Sequence, residues 1–173
     1  MFKLLKSKTA LSIIALTGAL AASQSAQANP VGVSASIGST CLVTTTNMAF
    51  GVYNPTAPTD INATTPGQVS LSCTTGAVPL IDISNGANFV ATRRMASGAN
   101  FLGYSVFQPV STAAAAACPA VGAGTAWVSG APFTVTAAPN NVARAYNVCG
   151  RITAGQSSAV GSYSDTLIAT ITF

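Results

Sequence analysis

The sequence contains no histidine and no glutamate, and only 6% of its 173 residues are charged. Its lysines, Lys3, Lys6 and Lys8, all lie in the first eight residues. Each absence excludes a chemistry. Nucleophilic catalysis pairs a serine or cysteine with a positioned base, and neither histidine nor lysine follows Lys8. Paired carboxylates for glycoside hydrolysis would have to come from Asp60, Asp82 and Asp165. The pattern puts these in a Pro-rich loop, on a strand's solvent face and in a turn at a strand start. Without histidine or a CxxC pair, a zinc site would need all four thiolates. Beyond residue 28 four arginines stand against three aspartates, which is no basic footprint for nucleic acid. The expectation is no enzyme, no metal or cofactor, no nucleic-acid partner and no small-molecule substrate.

The basic start "MFKLLKSK" leads into the apolar run "ALSIIALTGALAA" and then "AQA". This is the layout of a secretory signal peptide over 1–28, cleaved between Ala28 and Asn29. The apolar run is short of the ~20 residues a spanning helix needs. Residues 29–173 are then one exported domain with a single core. In that compartment Cys41, Cys73, Cys118 and Cys149 read as two disulfides, with three connectivities open. Each of the two bonds is worth roughly 3–4 kcal/mol if it closes a loop of about thirty residues.

What remains legible is strand and turn. "CLVTT" (41–45), "QVSLSC" (68–73), "PLIDIS" (79–84), "FLGYSVF" (101–107) and "FTVTA" (133–137) are β-rich, with a further strand over about 145–152. Turn signals such as "TTPGQ", "SNGAN" and "ASGAN" separate them. This pattern predicts an all-β sandwich. "STAAAAACPAVGAG" (111–124) reads as a long loop because of Pro119 and its glycines. Arg93 and Arg94 read as a solvated turn, and Trp127 as core. "NAT" at Asn62 is a weak glycosylation match.

The two ends of residues 29–173 carry the sharpest alternation. In "GSYSDTLIATITF" (161–173), Leu167, Ala169, Ile171 and Phe173 share one face, and threonines dominate the other. The reading expects those four inside and the edge beside them open. "VGVSASI" (31–37) alternates Val31, Val33, Ala35 and Ile37 with glycine and serines, and has no core of its own. Only Gly38, Ser39 and Thr40 link it to Cys41. Three extended residues span about 10–11 Å, which is little for crossing a domain.

Several landmarks occur in order: Cys41, "MAFGVYNP" (48–55), "VSLSC" (69–73), "RRM" (93–95), "LGYSVF" (102–107), and "GRITAGQ" with the closing "GSYSDTLIATITF". This set resembles the spore coat protein U domain, the subunit family of archaic, Csu-type chaperone–usher pili. The resemblance implies a disulfide Cys41–Cys73, which leaves Cys118 with Cys149. It also implies an immunoglobulin-like sandwich lacking its last strand, with a groove beside the terminal strand.

In such a family a periplasmic chaperone lends the missing strand. At an outer-membrane usher, the N-terminal extension of another pilin subunit then replaces it. Main-chain bonds supply affinity and alternate side chains fill pockets, each buried Val or Ile contributing ~1.5–3 kcal/mol before ordering costs. The implied partition is signal peptide 1–28, donor strand 29–40 and pilin domain 41–173. The implied function is a structural subunit of a cell-surface pilus, exported through the periplasm, that supports adhesion and biofilm formation. A coat or matrix protein of the same fold without a fibre, and a tip adhesin, are the rival readings.

Overall fold

A computed structural model describes residues 32–173. The expected signal peptide, its Ala28–Asn29 cleavage and Val31 lie outside the described residues. Nine strands follow in order: β1 (Cys41–Thr46), β2 (Ile61–Asn62), β3 (Gly67–Cys73), β4 (Leu80–Ile83), β5 (Arg93–Ser97), β6 (Asn100–Phe107), β7 (Phe133–Thr134), β8 (Arg144–Ile152) and β9 (Ala169–Thr172). They form a six-stranded sheet ordered β1-β3-β8-β6-β5, with β2 beside β8, and a three-stranded sheet ordered β7-β4-β9. Among the described residues every strand pairing is antiparallel. The fold is an all-β, immunoglobulin-like sandwich.

The period of two decides which side chains meet between the sheets. β3 buries Gly67, Val69, Leu71 and Cys73, β6 buries Leu102, Tyr104 and Val106, and β4 buries Ile81 and Ile83. Trp127 is fully buried and packs on Phe133 with ring centroids 5.4 Å apart. The residues from Ile37 to Phe173 form one compact unit. Residues 32–36 belong to another unit, and all of 32–40 are exposed without strand structure.

β8 departs from alternation: Val148 through Ile152 are all buried. Its outer face is covered by the alanine-rich loop, which the polar groups of β8 hold down. Asn147 donates to Ala116 O at 2.9 Å, and Arg151 donates to Ala120 O at 2.7 Å and Ala123 O at 2.9 Å. Arg151 also lies over the Phe107 ring at 4.2 Å, and Cys118 is bonded to Cys149. The other disulfide joins Cys41 to Cys73, directly opposed residues of β1 and β3 with Cα atoms 4.0 Å apart.

Several expectations are corrected. "RRM" is not a solvated turn but the start of β5, paired with β6 around the Ser97–Asn100 reversal, where Gly98 has φ +58°. Arg93 is only 8% exposed and donates to the carbonyls of Ile83, Ser84 and Trp127 at 2.7–3.0 Å. Arg93 thus meets main-chain acceptors beside β4, while Arg94, on the opposite face of the same strand, donates to Asn88 O and stacks on Phe101 at 4.0 Å. Asp82 is half-buried and accepts from Gly130 N at 3.1 Å. Asn62 is engaged as well, donating to Pro119 O and accepting from Arg151. The "VGVSASI" segment shows no strand over its described residues 32–37. Alternation supplies a face, and a strand also needs a neighbour to bond with.

Candidate functional site

The site is the seam where the two sheets should close and do not. β1 ends one sheet and β9 ends the other. Between the chain that follows β1 and the chain that leads into β9 runs a groove of ≈ 470 Å³. It continues past Met48, Phe50, Met95 and Tyr163 into a second cavity of ≈ 610 Å³. Core residues Val69, Ile83, Tyr104 and Val148 form its floor.

The first wall is "NMAFGVY". Ala49 exchanges main-chain hydrogen bonds with Thr65 at 2.9 and 3.0 Å, which turns the neighbouring Met48 and Phe50 toward the groove. Both seat against Gly150 of β8, where a Cβ would collide with the Met48 sulfur and the Phe50 ring. Phe50 meets Tyr104 edge-on at 6.0 Å. Tyr53 closes the far end. Its hydroxyl donates to Thr153 O and accepts from Gln156 N at 2.8 Å, while Gln156 bonds both main-chain groups of Gly103. The Phe-Gly-x-Tyr and Gly-Gln motifs of the sequence are therefore two sides of one clasp.

The second wall is the terminal segment. Tyr163, Asp165, Leu167, Ala169 and Ile171 point inward and are half-buried, whereas Thr166, Ile168, Thr170 and Thr172 are exposed. Leu167, Ala169 and Ile171 pack against the core. Phe173 does not follow them: it is 54% exposed, because the ladder with β4 ends at Thr172 opposite Leu80 and Phe173 lies one residue beyond. The even-numbered residues direct their main-chain groups to the sheets. Ser164 exchanges bonds with Ala96, Thr166 O accepts from Ala87 N, and Ile168 O accepts from Ser84 N. By alternation the odd-numbered residues direct theirs to the open side. Among the described residues no hydrogen bond reaches the main-chain N–H or C=O of Asp165 or Leu167.

Asp165 anchors this wall. Its Oδ1 accepts from Ala87 N, Asn88 N and Asn88 Nδ2 at 3.0–3.2 Å, and its Oδ2 accepts from the Tyr104 hydroxyl at 2.7 Å. Burial, then the bond to Asp165, hold the Tyr104 phenol well above its ordinary range. Burial pulls the Arg93 guanidinium below its ordinary value, with Tyr104, Asp82 and Asp165 opposing that shift.

Of the four terminal-strand residues expected beside the groove, Leu167 and Ala169 line it, Ile171 packs against the core and Phe173 is exposed, while the contacts of Gly150 and Gln156 with the first wall were not anticipated. A glycine inside a strand pattern, as in "CGRI", signals close approach of another group and could have pointed to Gly150. Of the expected donor residues, Val33 and Ile37 are 92% and 87% exposed, and Ala35 is exposed too. Among the described residues no group of three or more Cys, Asp, Glu or His side chains is placed to hold a metal.

A groove floored by core residues and bordered by unpaired main chain, in a sandwich whose first strand is stapled to its neighbour, defines the architecture. The family profile described as Spore Coat Protein U domain matches residues 27–170. The chain belongs to the Spore Coat Protein U domain family. No curated protein matches this domain chain significantly. Among solved structures, a chain of the CsuC-CsuE chaperone-tip adhesion subunit pre-assembly complex, from the archaic chaperone-usher Csu pili of Acinetobacter baumannii, shares the fold. The TM-score is 0.52 at 17% identity, over 79% of this chain and 40% of that one. The chain thus spans about two fifths of the length of the solved chain it matches.

Proposed function

We propose that the protein is a structural subunit of a chaperone–usher pilus, polymerising by donor-strand exchange. The open seam is the acceptor, and residues 29–40 of another copy are the donor. One observation carries this: beside a groove floored by the core, main-chain groups of Asp165 and Leu167 have no partner among the described residues. That is the surface an added β-strand completes. The exposed, alternating segment of Val33, Ala35 and Ile37 has the pattern to fill it, and its three-residue link to Cys41 leaves little reach for a groove in its own domain.

The family membership and the fold shared with a chaperone–subunit complex support a periplasmic chaperone as the first occupant. An outer-membrane usher is then the place of exchange, and the product is a surface fibre that serves adhesion and biofilm formation. The protein acts through assembly and has no reaction to catalyse. The test is size-exclusion chromatography of the subunit released from its chaperone. Intact protein should form fibres or multimers, and chains lacking residues 29–40, or carrying Val33→Asp or Ile37→Asp, should not, because a charge entering an apolar groove is strongly penalised. Fibres from the deleted chain would refute the mechanism.

A further inference from the structure

Among the inward positions of the terminal segment, Tyr163, Asp165, Leu167, Ala169 and Ile171, only Asp165 carries a charge. It cannot swing aside, since both carboxylate oxygens are held by groups of the β4–β5 loop and β6. A Cβ on Gly86 would strike the same carboxylate, so the space behind it is already filled. A branched aliphatic side chain laid over this group would strip its remaining water and offer no hydrogen bond in return. A small side chain leaves that water in place.

The donor offers Val31, Val33, Ala35 and Ile37 on one face, and only Ala35 is small. Every strand pairing of the described residues is antiparallel, and antiparallel ladders are slightly the more stable. We infer that Asp165 sets the register of the incoming strand: residues 29–40 of a second copy enter antiparallel to the terminal segment with Ala35 opposite Asp165. Val33 then lies opposite Leu167, and Val31 opposite the small Ala169. Ile37, the largest donor residue, lies opposite Tyr163, where the groove opens into the ≈ 610 Å³ cavity bounded by Met95 and Leu102. A slip of two residues in either direction would put Val33 or Ile37 over the carboxylate. The inference rests on the strand-acceptor reading above.

Outward positions test the register without touching the groove. In this alignment Ser34 faces Thr166, both exposed, as a pair that does not exchange main-chain bonds, where Cβ atoms approach most closely. All native cysteines are paired, so introduced thiols are the free ones. Full-length chains carrying Ser34→Cys with Thr166→Cys should oxidise to a multimer ladder on non-reducing gels, while Gly32→Cys or Ser36→Cys with Thr166→Cys should not. Donor Ala35→Leu should lower multimer yield about ten-fold or more, and Ala35→Ser should leave it near wild type. A ladder from the Gly32 or Ser36 pair, or full assembly by Ala35→Leu, overturns the register while leaving strand addition intact. A cross-linked monomer, or no multimer from any chain including wild type, overturns the strand-acceptor reading and the register with it.

Discussion

Of the alanine-rich loop and the open seam, the structure finishes the first, which has no strand pattern in sequence, and leaves unfinished the second, whose terminal segment alternates regularly. Over the loop, Asn147 and Arg151 satisfy the carbonyls of Ala116, Ala120 and Ala123, Ala115 N donates to Ala145 O, and a disulfide fastens Cys118. Polar groups there find partners inside the chain. Along the seam core and polar side chains mix, and the main chain of Asp165 and Leu167 is unused among the described residues. A buried main-chain group without a partner costs about as much as a lost hydrogen bond. The loop is therefore completed within the chain, and the seam is not.

Breaking the completed side should have the largest effect on stability. Replacing Cys118 and Cys149 together by alanine opens a loop closed across 31 positions and should cost roughly 3–4 kcal/mol. Urea denaturation would read this, and the variant should still capture a donor strand if loop and seam are independent. Equal loss of capture would merge the two regions into one.

The wall of the seam comes next. Gly150→Ala pushes a methyl group into Met48 and Phe50, and overpacking of this kind costs about 1–3 kcal/mol. Here stability and strand capture should fall together, since the same two side chains line the groove; a normal capture yield would show that the wall is not part of the site.

The smallest effect concerns the anchor. Tyr104→Phe removes the bond to Asp165 Oδ2 and should cost about 1.5 kcal/mol, the lower end for a bond to a charged group, because Oδ1 keeps its own donors. The Tyr104 phenol is held above the ordinary tyrosine value of 10.0, so the fold favours its protonated form. Its contribution is complete below about pH 10 and is lost as pH rises above that. Thermal melts from pH 8 to 11 should fall more steeply for wild type than for Tyr104→Phe. Parallel curves would remove Tyr104 from the titration.

Much of this molecule is local and hence legible in its sequence. Alternation in "QVSLSC" and "FLGYSVF" fixes which side chains are buried in β3 and β6, and it places Leu167, Ala169 and Ile171 inward because a strand's period does not depend on its neighbours. The ordered motifs carry the family. Other features depend on who the neighbour is, and alternation is silent there. Phe173 keeps the parity of Ile171 yet is over half exposed, because β4 ends its ladder one residue earlier. Alternation parts the two arginines of "RRM", but it does not say that Arg93 meets the carbonyls of Ile83, Ser84 and Trp127. Gly150 matters because Met48 and Phe50, a hundred positions earlier, lie on it. The sequence by itself determined the faces of the strands, since those follow from backbone geometry. The tertiary structure decided which faces are covered, which polar groups are satisfied and which seam stays open, since each of these is a relation between distant segments.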